Sequence, residues 1–201
     1  MMAAHDHYYS EEQHAPAQEK EFICALRGTT FTFKSASGTF AKYRVDAGTR
    51  LLAETARVAR GARVLDLGCG VGIIGIVLAR AAGAEVTMTD TNSRAVRLAR
   101  ENAALNGVKA RVLRGSLYAP VHGERFDAIV VNPPMAAGRE VCYAIIDGAT
   151  GHLVPGGTLQ MVARHSKGGE MLQKRMEERF GSCSTLAKSG GFRVYCAGLK
   201  E

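Results

Sequence analysis

From Ala62 onward the chain alternates between short apolar blocks and stretches in which apolar residues recur three and four positions apart. The blocks predict strands near 62–67, 84–89, 109–114, 126–131 and 157–163. The stretches between them predict helices near 71–82, 92–105, 139–152 and 168–180. Such alternation builds a parallel sheet with helices on both faces, because each parallel pair needs a long crossover. Past residue 182 the pattern changes: strands near 183–188 and 192–198 are joined only by Ser189-Gly190-Gly191, too short for anything but a hairpin. The expected fold class is α/β, a doubly wound, seven-stranded, mostly parallel sheet with an antiparallel C-terminal hairpin strand.

Upstream, Thr29–Phe33 alternates, Ser37-Gly38 supplies turn chemistry and Thr39–Val45 alternates again, which predicts a small N-terminal β-hairpin. Asp46 then caps a helix carrying Leu51, Leu52, Thr55 and Val58 on one face. Residues 1–20 mix His, Tyr, Glu, Gln and Pro without periodicity and read as a flexible arm ahead of a single domain over 21–201. The His5-Asp6-His7-Tyr8-Tyr9 patch in that arm is either a loose tail or a substrate contact.

A chain of 201 residues with 46% hydrophobic content suits one domain with a full core. The balance of 26 basic against 19 acidic residues leaves +7, which favours encounter with a polyanion but is also common without one. Five cysteines form an odd set with no short paired spacing, so neither a disulfide framework nor a zinc site is indicated. No apolar run approaches the roughly 20 residues needed to span a bilayer, and Met1–Gln18 has no signal-peptide core, so a cytoplasmic protein is expected.

The candidate chemistry lies at two points. Arg63-Val64-Leu65-Asp66-Leu67-Gly68-Cys69-Gly70-Val71-Gly72 reads as a buried strand turning through glycines into a helix whose first amides await an anionic group. Gly70-Val71-Gly72-Ile73-Ile74-Gly75 matches the dinucleotide fingerprint, with Asp90 placed as a ribose-binding acid. Asp66 at the loop mouth argues against a pyrophosphate and suits a ligand with positive charge and no phosphate, such as S-adenosylmethionine. A purely structural turn, with Asp90 as a helix cap, is the bland alternative. The second point is Asn132-Pro133-Pro134. A conjugated amino group is a poor nucleophile, and the Asn132 side-chain carbonyl with the Pro133 main-chain carbonyl could accept both of its hydrogens, with proline fixing the backbone. This chemistry calls for no catalytic His, Cys or metal; a rigid turn is the alternative.

The order of glycine loop, acid after the next strand and Asn-Pro-Pro resembles the class I S-adenosylmethionine-dependent methyltransferases over Thr29–Leu199. More narrowly, Gly38-Thr39-Phe40, Asp46-Ala47-Gly48-Thr49, Asp66-Leu67-Gly68-Cys69-Gly70, Asn132-Pro133-Pro134 and Gly191-Phe192-Arg193-Val194-Tyr195 resemble the small methyltransferase domain family. That family is typified by ribosomal RNA guanine-N2 methyltransferases and archaeal single-domain relatives, whose aromatic arm His7-Tyr8-Tyr9-Ser10 also resembles. The resemblance implies that Asp46, Gly48 and Thr49 border the methionine end of S-adenosyl-L-methionine, with Asp66, Gly68, Cys69, Gly70 and Gly72 at its middle. Asp90 and Thr91 would hold the ribose, Ser116 and Leu117 the adenine in place of the acid common in relatives, and Asn132 would adjoin the donor.

The resemblance also implies an RNA substrate, ribosomal or transfer, methylated on an exocyclic guanine amine. Met135 stands where relatives acting on adenine N6 or glutamine side chains carry Tyr or Phe; it either lies against the base or is ordinary packing. Arg139, Arg164, His165 and Lys167 fall on the same rim as Asn132 and either contact RNA or face solvent. An adenine-N6 or protein-glutamine acceptor, and a donor-binding scaffold without turnover, are the alternatives. Arg94, Arg97, Arg100, Lys109, Arg111 and Arg114 read as solvent-facing charge, and His122 and His152 as surface or satisfied histidines.

Overall fold

The computed structural model describes residues 18–36 and 43–200. Residues 1–17 of the expected arm, with the His5–Tyr9 patch, the expected turn at Ser37-Gly38 and residues 39–42 of the expected strand Thr39–Val45 lie outside them. The chain forms β1 (Glu19–Leu26), β2 (Thr29–Ala36), α1 (Ala47–Thr55), β3 (Arg63–Leu67), α2 (Ile73–Ala82), β4 (Glu85–Asp90), α3 (Ser93–Leu105) and β5 (Ala110–Arg114). It continues through β6 (Phe126–Val131), α4 (Arg139–His152), β7 (Leu153–Arg164), α5 (Glu170–Phe180), β8 (Ser184–Ser189) and β9 (Phe192–Gly198).

β3 to β9 make one sheet in the order β5-β4-β3-β6-β7-β9-β8. Neighbours pair in parallel except β9, which runs antiparallel to both β7 and β8. This is the expected doubly wound architecture. The chain leaves β3 toward one edge through β4 and β5, then returns to β6 on the other side of β3. At such a reversal the two outgoing connections diverge and leave a crevice at the carboxyl ends of the strands. The apolar core is correspondingly double: one cluster packs α1, α2, α3 and the hairpin against one face, and a second packs α4 and α5 against the other.

The N-terminal hairpin exists, but Thr29–Ala36 pairs with the segment before it instead of with the expected Thr39–Val45. β1 pairs with β2 from Glu19↔Ala36 to Leu26↔Thr29, so Glu19 and Lys20, placed in the arm on sequence, belong to a strand. The turn is Arg27-Gly28, with φ of 48° and 71°. Two consecutive left-handed residues make the tight turn whose twist matches paired strands, and glycine at its second position carries that geometry without strain. Arg27 is held there because its Nε donates to Ala53 O at 2.6 Å and its main-chain amide to Glu54 Oε2 at 2.9 Å. The guanidinium also reaches Ala56 O, so it satisfies carbonyls at the end of α1. That helix stops at Thr55, and Val58, expected on its apolar face, lies beyond it.

The hairpin is fastened to α3 by two asparagines four residues apart. Asn102 accepts from Lys34 N at 2.7 Å and donates to Lys34 O at 3.0 Å; Asn106 accepts from Thr32 N and donates to Thr32 O. Both side chains thus imitate a neighbouring strand along β2. Fully buried Asn102 also donates to Val71 O at 2.9 Å, which ties the hairpin to the glycine bend. No helix among the described residues is long and apolar enough to cross a membrane.

Candidate active site

A cavity of about 230 Å³ opens at the crevice between β3 and β6. Its wall includes Gly68, Cys69 and Gly70 from the bend, Asp90 and Thr91 after β4, and Ser116 and Leu117 after β5. Asn132, Pro133 and Pro134 after β6 complete it, with Asp46 and Thr49 from the start of α1. The residues singled out on sequence at five separate places in the chain therefore converge.

The bend is built by two buried acids. Asp66 Oδ2 accepts from Gly75 N at 2.8 Å, and Asp90 accepts from Gly70 N at 2.8 Å and Asn92 N at 2.9 Å. The sequence pattern places Asp66 at the mouth of the loop and an anionic group on the helix N-terminus. The structure corrects the first: Asp66 lies beneath the bend, 1% exposed and off the cavity wall, where its carboxyl takes one amide of the first turn of α2. Gly72 is likewise off the wall. With Gly75 it serves packing, since a Cβ on Gly75 would stand 2.9 Å from both the Met88 sulfur and Val86 Cγ1. Gly68 and Gly70, at φ of 71° and 56°, bring the main chain to the cavity.

Burial pushes the Asp66 carboxyl up to about 7; the Gly75 amide opposes this and the nearby charge of Asp90 adds to it. Burial, with Asp90 and Asp66 close by, raises the Cys69 thiol well above its ordinary value, so it stands in the wall as a neutral group. Two buried carboxylate oxygens, Asp46 Oδ2 and Asp66 Oδ1, accept no hydrogen bond among the described residues. Asp46 lines the cavity, and its bare acceptor there fits a ligand that brings donors and positive charge.

The catalytic loop is fixed from α1. Asp46 Oδ1 caps that helix, accepting from Gly48 N at 3.0 Å and Thr49 N at 3.1 Å, as expected of the residue. The Thr49 hydroxyl accepts from Asn132 Nδ2 at 2.9 Å. The Pro133 carbonyl accepts from Met135 N at 2.9 Å, which uses one of its two lone pairs. Gly48 is off the cavity wall, pressed under Phe192: a Cβ there would stand 3.0 Å from Phe192 Cε1.

Met135, Arg139, His165 and Lys167 do not line the cavity. Met135 packs beside the Cys142 sulfur at 3.9 Å and against Gly168, where a Cβ would meet its Cε at 2.6 Å. It thereby joins the Asn-Pro-Pro loop to the turn over His165–Gly169, in which His165 Nδ1 meets the Tyr195 hydroxyl at 2.9 Å. Arg139, Arg164 and Lys167 are exposed, and Arg164 lies over the Phe192 ring at 4.6 Å. Arg97 pairs with Glu19 and Glu101, Arg111 with Glu124, and His152 stacks on Tyr118 while meeting Gly148 O at 2.9 Å, as expected of solvent-facing charge and a satisfied histidine. Sequence reasoning missed the apolar wall: Ile73 and Ile74 from α2, and Ala137, Val141 and Ile145 around α4. Their signal was present, since the last three recur at intervals of four.

Comparison with known proteins agrees with this geometry. A family profile described as methyltransferase small domain matches residues 30–196. An uncharacterized protein of Bacillus subtilis strain 168, YbxB, is 36% identical over 195 residues, covering 94% of this chain and 96% of that protein. The ribosomal RNA small subunit methyltransferase C of Enterobacter sp. strain 638 is 35% identical over 169 residues, covering 82% of this chain and 48% of the relative. Among solved structures, the T. thermophilus 16S rRNA N2 methyltransferase RsmC, in complex with AdoMet and guanosine, superposes with a TM-score of 0.80 at 30% identity. That match covers 92% of this chain and 52% of RsmC, so the chain spans about half the length of these ribosomal RNA methyltransferases.

Proposed function

We propose that this chain, which belongs to the methyltransferase small domain family of S-adenosylmethionine-dependent enzymes, methylates the exocyclic N2 amine of guanine in structured RNA. The observation that carries the reading is the arrangement of Asn132. Its Nδ2 is committed to Thr49, which leaves its Oδ1 as the acceptor it can offer, on the wall of the same cavity as the glycine bend. When bound, S-adenosyl-L-methionine supplies an electrophilic methyl group on a sulfonium.

The protein's part is to bind and orient. Asp46 Oδ2 would accept from the donor's amino group, and buried Asp66, ionised once the donor's positive charge is present, would add negative charge beneath the bend. Asp90 and Thr91 border the ribose, and a carboxylate has lone pairs enough to serve two amides and a hydroxyl. Ser116 and Leu117 border the adenine. Asn132 Oδ1 and the remaining lone pair of the Pro133 carbonyl would accept the two hydrogens of the guanine amine and aim its lone pair at the methyl carbon, so that the N–C bond would form as the S–C bond breaks and the nitrogen would then release one of those hydrogens as a proton. Pro134 holds the loop rigid.

Exposed Arg139 and Lys167, with His165 and Met135 behind them, flank a base turned out of its stack and meet its phosphates. RsmC was captured with AdoMet and guanosine, and that pairing supports the choice of acceptor. The test is to incubate the purified protein and labelled donor with RNA from a strain lacking this gene, then identify the labelled nucleoside. N2-methylguanosine is the expected product. N6-methyladenosine, label only in protein glutamine, or no transfer would each overturn the proposal.

A further inference from the structure

We propose that Thr49 is the positioning residue for Asn132, holding its side-chain amide where the carbonyl meets the substrate; this rests on the functional reading above. A free asparagine side chain samples several rotamers, and those that swing the carboxamide away from the amine disable the site. The Thr49 hydroxyl accepts from Nδ2 at 2.9 Å and leaves Oδ1 outside that bond.

Thr49 is itself held on three counts. It is buried, at 7% exposure, and its main-chain amide is bound by Asp46 Oδ1 at 3.1 Å. Its β-branched side chain has little rotational freedom in a helix. The first turn of α1 is also gripped from outside: Phe192 rests against Gly48, and Arg164 covers the Phe192 ring. The resemblance placed Thr49 beside the donor's methionine end, and Thr49 does line the cavity; its hydroxyl also accepts from the Asn132 amide.

The experiment compares Thr49→Val, Thr49→Ser and the unaltered protein by three measurements. These are single-turnover methyl transfer, calorimetric affinity for S-adenosylhomocysteine, and NMR exchange of the Asn132 side-chain amide protons without ligand. Thr49→Val is expected to lower the transfer rate roughly tenfold, the worth of one oriented hydrogen bond. Its S-adenosylhomocysteine affinity should stay within about twofold, and its Asn132 amide exchange should quicken. Thr49→Ser, which keeps the hydroxyl, should regain most of the rate.

An unchanged rate in Thr49→Val overturns the proposal. So does a loss that appears wholly as weaker S-adenosylhomocysteine binding, which would make Thr49 a donor contact. Should Thr49→Val fail to fold, the unaltered protein still decides: Asn132 amide protons exchanging as fast as those of an exposed asparagine refute the bond. That measurement needs no turnover, so its outcome is separate from a failure to methylate RNA.

Discussion

At the glycine bend the two carboxylates close their contacts within a short span of chain: Asp66 reaches Gly75 nine residues on, and Asp90 reaches Gly70 twenty residues back. At the Asn132 end the contacts cross the molecule, with Thr49 lying 83 residues away and Tyr195 thirty residues from His165. The first end is a local unit whose charges are spent on its own main chain, so it forms with the strand and helix that carry it. The second is assembled by docking α1, β9 and the turn after β7 around one loop. Damage at the first should therefore register as lost stability and donor binding. Damage at the second should register as lost rate in a folded protein.

The sharpest separation comes from Asn132→Ala. Removing a group that acts on the reacting amine should lower kcat by about 10²–10³, the usual effect of deleting one preorganised polar group at the reacting centre. S-adenosylhomocysteine affinity and the unfolding midpoint should stay near those of the unaltered protein. Single-turnover rates beside calorimetry would show it, and a parallel collapse of donor affinity would mean that the two ends are not separable.

The bend calls for the opposite outcome. Gly75→Val would force a side chain into Met88 and Val86, whose atoms lie 2.9 Å from where even a Cβ would stand, and overpacking of that kind costs about 1–3 kcal/mol. Gly68→Ala is the control: a Cβ there meets nothing within 4 Å, so only the cost of its left-handed φ of 71°, about 1 kcal/mol, applies. Denaturant unfolding should rank the glycine 75 variant as the less stable. Equal losses would remove the packing explanation.

The same contrast explains what could be read before folding. Strands, helices and the bend were legible because hydrophobic period and glycine placement act over a few residues, and α4 begins and ends at the expected Arg139 and His152. The hairpin's first strand was missed because Glu19 and Lys20 were read as arm and 21–26 were given no element, whereas the paired left-handed residues Arg27-Gly28 put the turn ahead of Thr29. Asp66 was placed at the loop mouth because sequence gives strand position but not burial. The Thr49–Asn132 bond, the asparagine pair on β2 and the seating of Met135 against Gly168 depend on which distant elements meet, and nothing local announces them.

Titration separates the ends more gently. Folding raises the Asp66 carboxyl from the ordinary 3.8 to about 7, so the folded chain holds a proton that the unfolded chain has released. The stabilising effect is complete below the unfolded value and is lost as pH rises through the folded one, so stability should fall between about pH 4 and pH 7 on this account. Asp66→Asn, with no proton to lose, should flatten that slope in melting experiments without ligand. Donor affinity in the unaltered protein should rise over the same interval, because positive charge near the bend favours the ionised carboxylate. Identical slopes in the two proteins would show that Asp66 is ionised throughout.

The smallest effect belongs to the outer rim of the Asn132 end, where Lys167 is exposed. A lysine that neutralises one phosphate releases about one counterion, so Lys167→Gln should reduce the slope of log affinity against log salt by roughly 0.7–0.9. At moderate salt that is a severalfold loss of RNA binding, alike for every sequence, because phosphate contacts position a nucleic acid without reading it. Methyl transfer at saturating RNA should be untouched, since the lysine lies off the cavity wall. Arg139→Gln, altering another exposed cation on this rim, should lower the slope by a similar increment if the RNA crosses both residues. An intact slope in the double variant would move the RNA path off this edge of the sheet while leaving Asn132 and the bend in place, which is the separation that the two ends of the cavity predict.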